Sequence, residues 1–189
     1  MARFIRGRQT QGFRNLRQIL RDMDKKKLSV GWFESARYDA DTPVAAVAAT
    51  QEFGSAEMRI PPRPFMRPTI EDKRQDWVDT LTVAMTRVVN DQATTTQALD
   101  ILGLRLAGQI RLKISQIHEP PLSPVTLALR KQKRQGTVIT RSLVRATAAA
   151  VRRGDTGPGE LGDSSGINPK PLVFDGILLG TLTHVVEES

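Results

Sequence analysis

The sequence contains no cysteine. Disulfide frameworks, thiolate metal sites and cysteine nucleophiles are therefore excluded together. Histidine is scarce as well: His118 and His184 are the only two, and neither has a second histidine at metal-ligand spacing. No apolar run approaches the ~20 residues that a membrane span requires. The opening stretch MARFIRGRQTQGFRNLRQ is basic but lacks the apolar segment of a signal peptide. Aromatics number one Tyr, two Trp and six Phe, none interleaved with Lys or Arg as in RNA-binding signatures, and no zinc finger can form. Gly-x-Ser-x-Gly occurs once, as Gly162-Asp163-Ser164-Ser165-Gly166, but inside a stretch rich in Gly, Ser, Asp and Pro rather than between a strand pattern and a helix pattern as a nucleophile elbow requires, and GDTGPGELG is not followed by the Lys-Ser/Thr of a phosphate loop. Nothing in the sequence thus supports catalysis, a cofactor or a metal site, and no membrane partner is expected.

What is present in excess is positive charge, unevenly placed. The 189 residues carry a net charge of +8. Residues 1–27 hold nine Lys/Arg against two acids (+7), and residues 28–110 hold eight against eleven (−3). Residues 111–153 hold ten against one (+9), and residues 154–189 hold one against six (−5). Such separation calls for an electrostatic partner, either nucleic acid or the acidic face of a neighbouring copy. Basic blocks alone give salt-sensitive, non-specific nucleic-acid affinity, so blocks 1–27 and 111–153 keep that alternative open. The length suits one domain or two small ones and needs no disulfide or metal to hold a core.

Helical periodicity dominates. Phe13, Leu16, Ile19, Leu20 and Met23 form one stripe on a helix over about 13–26, with Arg14, Arg17, Arg21 and Lys25 mostly off it. That cationic side is either a solvated face or a binding face. LSVGWFES alternates as a half-buried strand does. PVAAVAATQEF suits a short helix of small residues ended by Gly54. Pro68 suits the first position of a long helix, and a second long helix spans about 95–117 before prolines 120 and 121 stop it. Ser123 and Pro124 start another helix. TRSLVRATAAAVRRG can be helical with Gly154 as terminator, and GDTGPGELGDSSGINP reads as a mobile loop. TLTHVVE near the end alternates as a strand.

The most distinctive stretch is EFGSAEMRIPPRPFMRP, with four prolines in positions 61–68. A loop this stiff has little conformational freedom to lose on docking. Arg63 and Arg67 can pair with acids on a neighbouring subunit while Pro64, Phe65 and Met66 present an apolar surface to a pocket there. The other reading is that the loop only turns the chain between helices, with Phe65 in its own core.

This stretch resembles a segment of the tailed-bacteriophage neck and tail-completion proteins, a family of head–tail joining or virion morphogenesis proteins. HEPPLSPVTLALRKQK resembles that family's PPL-S-x-x-T-x-x-x-R-K segment, and KPLVFDGILLGTLTHVVE resembles its ending. The likeness covers about residues 28–135 and 170–187. Gly176 directly follows Asp175 where the family has Thr then Gly, and Thr181 stands near the usual Ser. The resemblance implies a non-enzymatic virion component, made in the host bacterial cytoplasm. It implies a ring, sixfold by preference, between a head-side connector protein and the tail tube or tail terminator. Viral DNA would pass through without sequence-specific binding. The interface candidates are Arg63, Pro64, Phe65, Met66 and Arg67, with Arg14, Arg17 and Arg21 on the N-terminal helix. The expected fold is α+β and a single domain: a small, mainly antiparallel sheet with strands near 28–34 and 181–187, two long helices packed on one face, a basic N-terminal helix within 1–27 and a flexible insertion near 137–169.

Overall fold

Thr94 and Gln97 illustrate how local chemistry sets the helix ends. The Thr94 hydroxyl accepts the backbone N–H of Gln97 (3.2 Å), and the Gln97 side chain accepts the N–H of Thr94 (2.9 Å). This reciprocal box satisfies donors that the first turn of a helix leaves open. The computed structural model describes residues 11–154, 170–173 and 176–188, with side chains from Asn15 onward. The fold is α+β. Its described helices are α1 (Gln11–Asp24), α2 (Val44–Phe53), α3 (Met66–Val89), α4 (Thr95–Gln116), α5 (Pro124–Arg134), α6 (Arg141–Arg152) and α7 (Ile177–Gly180). Strands β1 (Lys26–Gly31) and β2 (Thr183–Glu188) pair antiparallel.

The chain divides into two compact units built from separated segments. One takes α1, β1, α3, most of α4, and β2; the other takes α2, the end of α4, and α5 to α7.

In the first unit, α3 and α4 form an antiparallel hairpin. Its turn is closed by Asp91 in the left-handed region (φ 56°), with the Gln92 N–H donating to the Arg87 carbonyl at 2.8 Å. Asp tolerates this conformation better than most side chains, so no glycine is needed at the helix end. Ala84, Val88 and Ala98 are buried where the helices meet, and Ile19 of α1, Met85 and Ala93 pack against them. The strands run in register, with Leu28 opposite Val186 and Val30 opposite His184. α4 meets the sheet directly. Gly103 lies so close to His184 that a Cβ there would overlap the imidazole ring. Asp100, one turn earlier, stands 3.4 Å from His184 Nε2. Arg111 donates to the carbonyl of Leu182, a fully buried residue leading into β2.

Several boundaries differ from expectation for local reasons. α3 begins at Met66, so Pro68 is its third residue; it still lies in the first turn, where a missing N–H costs nothing. The span 137–169, expected as a flexible insertion, carries α6 in its first part, because the Thr140 hydroxyl caps the helix by accepting the Leu143 N–H (3.2 Å). Residues 155–169 lie outside the described residues. The apolar stripe of α1 is only partly covered: Ile19 packs on the core, while Leu16 is 40% and Leu20 56% exposed.

The close approach at Gly103 yields a paired test within one helix. Gly103→Ala should destabilise the protein by about 1–3 kcal/mol, since overpacking outweighs the gain of roughly 1 kcal/mol that alanine brings to a helix interior. Gly108→Ala, at an exposed position with open space around its Cβ site, should stabilise by about 0.5–1 kcal/mol. Denaturant unfolding of both variants checks the contrast; equal effects would mean that α4 does not bear on the sheet at Gly103.

Candidate functional site

Gly54 ends α2 with φ 76°, and a Cβ there would stand 2.9 Å from the Ile60 carbonyl and from the Pro62 nitrogen. Only glycine accepts both the dihedral and the crowding. Ser55 and Ile60 then exchange two backbone hydrogen bonds of 2.8 Å, folding residues 56–59 into a tight turn that throws the chain back along α2. There the Arg63 N–H donates to the Gln51 carbonyl (2.7 Å) and the Phe65 N–H donates to the buried carboxylate of Glu52 (2.6 Å). The proline-rich loop is thus bonded to the end of the helix that precedes it.

The Arg63 side chain carries this arrangement further. Its Nε donates to the Pro120 carbonyl (2.9 Å), one terminal nitrogen to the Pro121 carbonyl (3.2 Å) and the other to Gln51 Oε1 (3.1 Å). Consecutive prolines have no N–H groups, so they form no ladder and their carbonyls must find donors elsewhere. The planar guanidinium fork reaches two successive carbonyls at once. Arg63 is only 5% exposed. Burial lowers its pKa from the ordinary value, but arginine starts so high that it stays charged.

A second arginine repeats the device. Ser123 caps α5: its hydroxyl accepts the Thr126 N–H (3.2 Å) and stands 2.9 Å from the Thr126 hydroxyl. One turn on, Arg130 donates to the carbonyls of Lys170 (2.9 Å) and Pro171 (2.8 Å). Beyond the residues that lie outside the description, Gly176 takes the left-handed conformation (φ 75°) at the start of α7. Leu178 is buried there, and the Thr181 hydroxyl donates to the Ile177 carbonyl (2.6 Å).

These facts correct part of the interface expectation. Arg63 and Phe65 face inward: Phe65 is fully buried and Arg63 nearly so. Pro64 and Met66 are half-buried, and Arg67 is exposed on the first turn of α3. Neither Arg63 nor Phe65 is free to meet a neighbouring subunit, and the reading with Phe65 in the protein's own core is the one observed. Arg17 and Arg21 are exposed on α1, and the Arg14 side chain lies outside the described residues. Glu52 and Arg130 lie in the stretches quoted from the sequence but were given no role there, and Gln51 was not singled out. Their signal was weak: a Gln–Glu pair at the end of a helix of small residues, and an arginine four residues past Thr126.

The most chemically suggestive cluster lies in the first unit. Asp76 of α3 accepts two hydrogen bonds from Arg105 of α4 (2.7 and 2.5 Å) and one from Gln109 (2.7 Å), while the Trp77 indole donates to Gln109. The Arg105 bonds, then the Gln109 bond, hold the Asp76 pKa down to about 2. A carboxylate so firmly ionised cannot serve as a general base near neutrality. Its evident effect is to clamp α3 to α4. A cavity of about 280 Å³ in the second unit is lined by Tyr38, Thr42, Gln51, Arg130 and Lys133 among others, but Gln51 and Arg130 already hold the loop bonds described above. Among the described residues, no group of three or more His, Cys, Asp or Glu stands ready to hold a metal ion, and no helix is long and apolar enough to cross a membrane.

Comparison of the chain with protein-family models, with curated proteins and with solved structures finds no match in any of the three.

Two predictions follow from these contacts. Arg63→Ala should cost about 3 kcal/mol, because it removes three hydrogen bonds made by a nearly buried guanidinium; Arg63→Lys should recover only part, since an ammonium lacks the fork. Arg67→Glu, at the exposed neighbour, should change stability by less than about 1 kcal/mol. Urea unfolding of the three variants separates the roles, and equal losses at 63 and 67 would refute this division.

The Asp76 clamp gives a pH signature. A carboxylate with a depressed folded-state pKa contributes stability above its unfolded value, and that contribution is lost as pH falls through the folded one. The window therefore runs from about pH 4 down to about pH 2. Wild type should exceed Asp76→Asn in stability above this window, and the difference should vanish below it. Thermal unfolding of both proteins across pH 2–5 checks the sign; a gap that persists at the acid end would assign the effect to shape rather than charge.

Proposed function

We propose that the chain is a structural virion protein of a tailed bacteriophage, a ring component of the neck that completes the tail and joins it to the head connector. The observation that carries this reading is the joint behaviour of the segments that resemble the neck and tail-completion family. In EFGSAEMRIPPRPFMRP, the residues Glu52, Gly54, Arg63 and Phe65 have internal tasks; in HEPPLSPVTLALRKQK, so do Ser123, Thr126 and Arg130; in KPLVFDGILLG, so do Gly176 and Leu178. Arg63 binds the first segment to the second, and Arg130 binds the second to the third. Residues that depend on each other in this way form one signature, so three separated likenesses weigh as a single coherent one. The partners on this reading are further copies in a ring, a head-side connector, and the tail tube or its terminator. Viral DNA slides through the channel without being read.

Surface character supports assembly. Phe53, Met58, Leu104, Leu112 and Val138 are each more than half exposed. The opposed charge of the chain's segments suits a head-to-tail interface, in which different surfaces of one protomer meet.

A second reading, non-specific nucleic-acid binding through blocks 1–27 and 111–153, is favoured by one feature: Lys133, Arg134, Arg141 and Arg145 are all exposed around the turn between α5 and α6. Strong duplex-DNA binding by the free chain, falling steeply with salt, would support it.

Phage produced without this chain should accumulate filled heads and separate tails, counted by electron microscopy, and the purified protein should restore joining. Normal numbers of joined particles in its absence would sink the neck assignment.

A further inference from the structure

Among the described residues the sheet has two strands, and a two-stranded ladder is marginal in water by itself. Each strand also presents an outer edge of backbone groups, which is a template for pairing with another chain. Among the described residues, 26–31 and 183–188 make no backbone–backbone hydrogen bond outside their mutual ladder. Neither strand contains proline, and six successive register pairs run without a bulge; the protection the strands do carry is the charge of Lys26, Lys27, Glu187 and Glu188 at one end. α4 does not block the edges. It approaches through the His184 side chain, and side chains project from the faces of a sheet.

Charge identifies the occupant. In register, Lys26 lies opposite Glu188 and Lys27 opposite Glu187, so one end of the sheet is a row of lysines on β1 and glutamates on β2. Lys26 is engaged with Asp22 at 3.7 Å and Glu188 at 4.0 Å. Lys27 and Glu187 are exposed and form no ion pair among the described residues. An antiparallel partner that sets glutamates against the outer side of Lys26 and Lys27, and lysines against the outer side of Glu187 and Glu188, is supplied by the same strands of another copy. Two β1 strands, or two β2 strands, paired antiparallel place no opposite charges across from each other at the lysines.

We infer that the sheet continues between copies, the outer edge of β1 in one protomer pairing antiparallel with the outer edge of β2 in the next. The inference rests on the ring reading above and specifies its interface. Such pairing is head-to-tail: each copy offers one edge and accepts on the other, and the repeat closes into a ring when its rotation allows. Each Lys27 then lies between two Glu187 carboxylates, its own and the neighbour's, and the ladder of backbone hydrogen bonds has no open edge once the ring closes.

Because the chain has no cysteine, engineered cysteines report on this pairing without background. Strands paired in a sheet hold opposed Cα atoms about 4.5–5.5 Å apart, within disulfide reach. Ser29→Cys chains and Val185→Cys chains, co-produced and then oxidised, should give a mixed disulfide several-fold in excess of either homodisulfide. Lys27→Cys with Glu187→Cys, both at exposed positions, repeats the test if a half-buried substitution disturbs folding. Light scattering on the same samples reads the assembly state. Oligomers without the mixed disulfide would overturn the sheet-edge interface and leave the ring reading standing. Monomers without it would count against both, and homodisulfides between Ser29→Cys chains would replace the head-to-tail pairing with a two-fold one.

Discussion

The grip of Arg63 on the Pro120 and Pro121 carbonyls is the interaction on which the second unit depends. Burying a guanidinium is expensive unless its donors are used, and three of them are used here on two carbonyls and the Gln51 amide. The exchange suits both sides. A Pro-Pro segment has acceptors and no donors, and arginine has donors and no acceptors. Helix and sheet cannot satisfy such a segment, because neither accommodates residues without an N–H. The fork therefore fixes where the chain goes after α4 ends and, through Ser123, where α5 begins.

The same logic recurs at Arg130, which reaches two successive carbonyls from the middle of α5. The second unit is thus held by polar bonds from rigid helices to irregular backbone. The first unit uses a different principle: small residues, Ala84, Ala98 and Gly103, let helices and strand approach closely. A two-pronged ion pair between Arg105 and Asp76 then fixes the axial register of the two long helices. In the first unit packing precedes the polar bonds; in the second the polar bonds determine what can pack. Phe65 illustrates the latter, since its burial follows from a backbone already bonded to Glu52 and Gln51.

Periodicity made the helices legible. α1, α2, α4 and α5 lie within a residue or two of where apolar spacing and caps place them, because those signals act over a single turn. The strands were legible as alternation, and their antiparallel pairing was part of the expected fold. The proline loop was recognised as distinctive, and of the two readings it allowed, the inward one holds for Arg63 and Phe65. Sequence spacing shows that Arg63 and Phe65 sit on a stiff loop; it does not show that Pro120, fifty-seven residues on, lies 2.9 Å from the guanidinium. Long-range polar bonds leave no periodic trace. The division into two units was hidden for a related reason, since each is assembled from segments far apart in the chain.

Once Arg63 and Phe65 are assigned to the interior, any partner surface must be sought elsewhere, and the remaining features share a property. Leu16 and Leu20 leave the stripe of α1 half open, the turn after α2 carries the exposed Met58, and the two-stranded sheet ends in two unpaired edges. Each is a requirement left unmet among the described residues: apolar area in water in two cases, backbone hydrogen bonds in the third. Electrostatics points the same way. A channel that lets DNA slide cannot be lined by a dense row of arginines, because each phosphate held adds to the force needed to move the next. On the neck reading proposed above, the exposed cations of α1 and of the α5–α6 turn would therefore belong against protein or on an outer surface. The carboxylates that would receive them are available on another copy, whose acidic middle and basic blocks are separate in sequence. On the ring reading proposed above, the apolar, backbone and charge requirements of one chain would be satisfied together by repeating that chain.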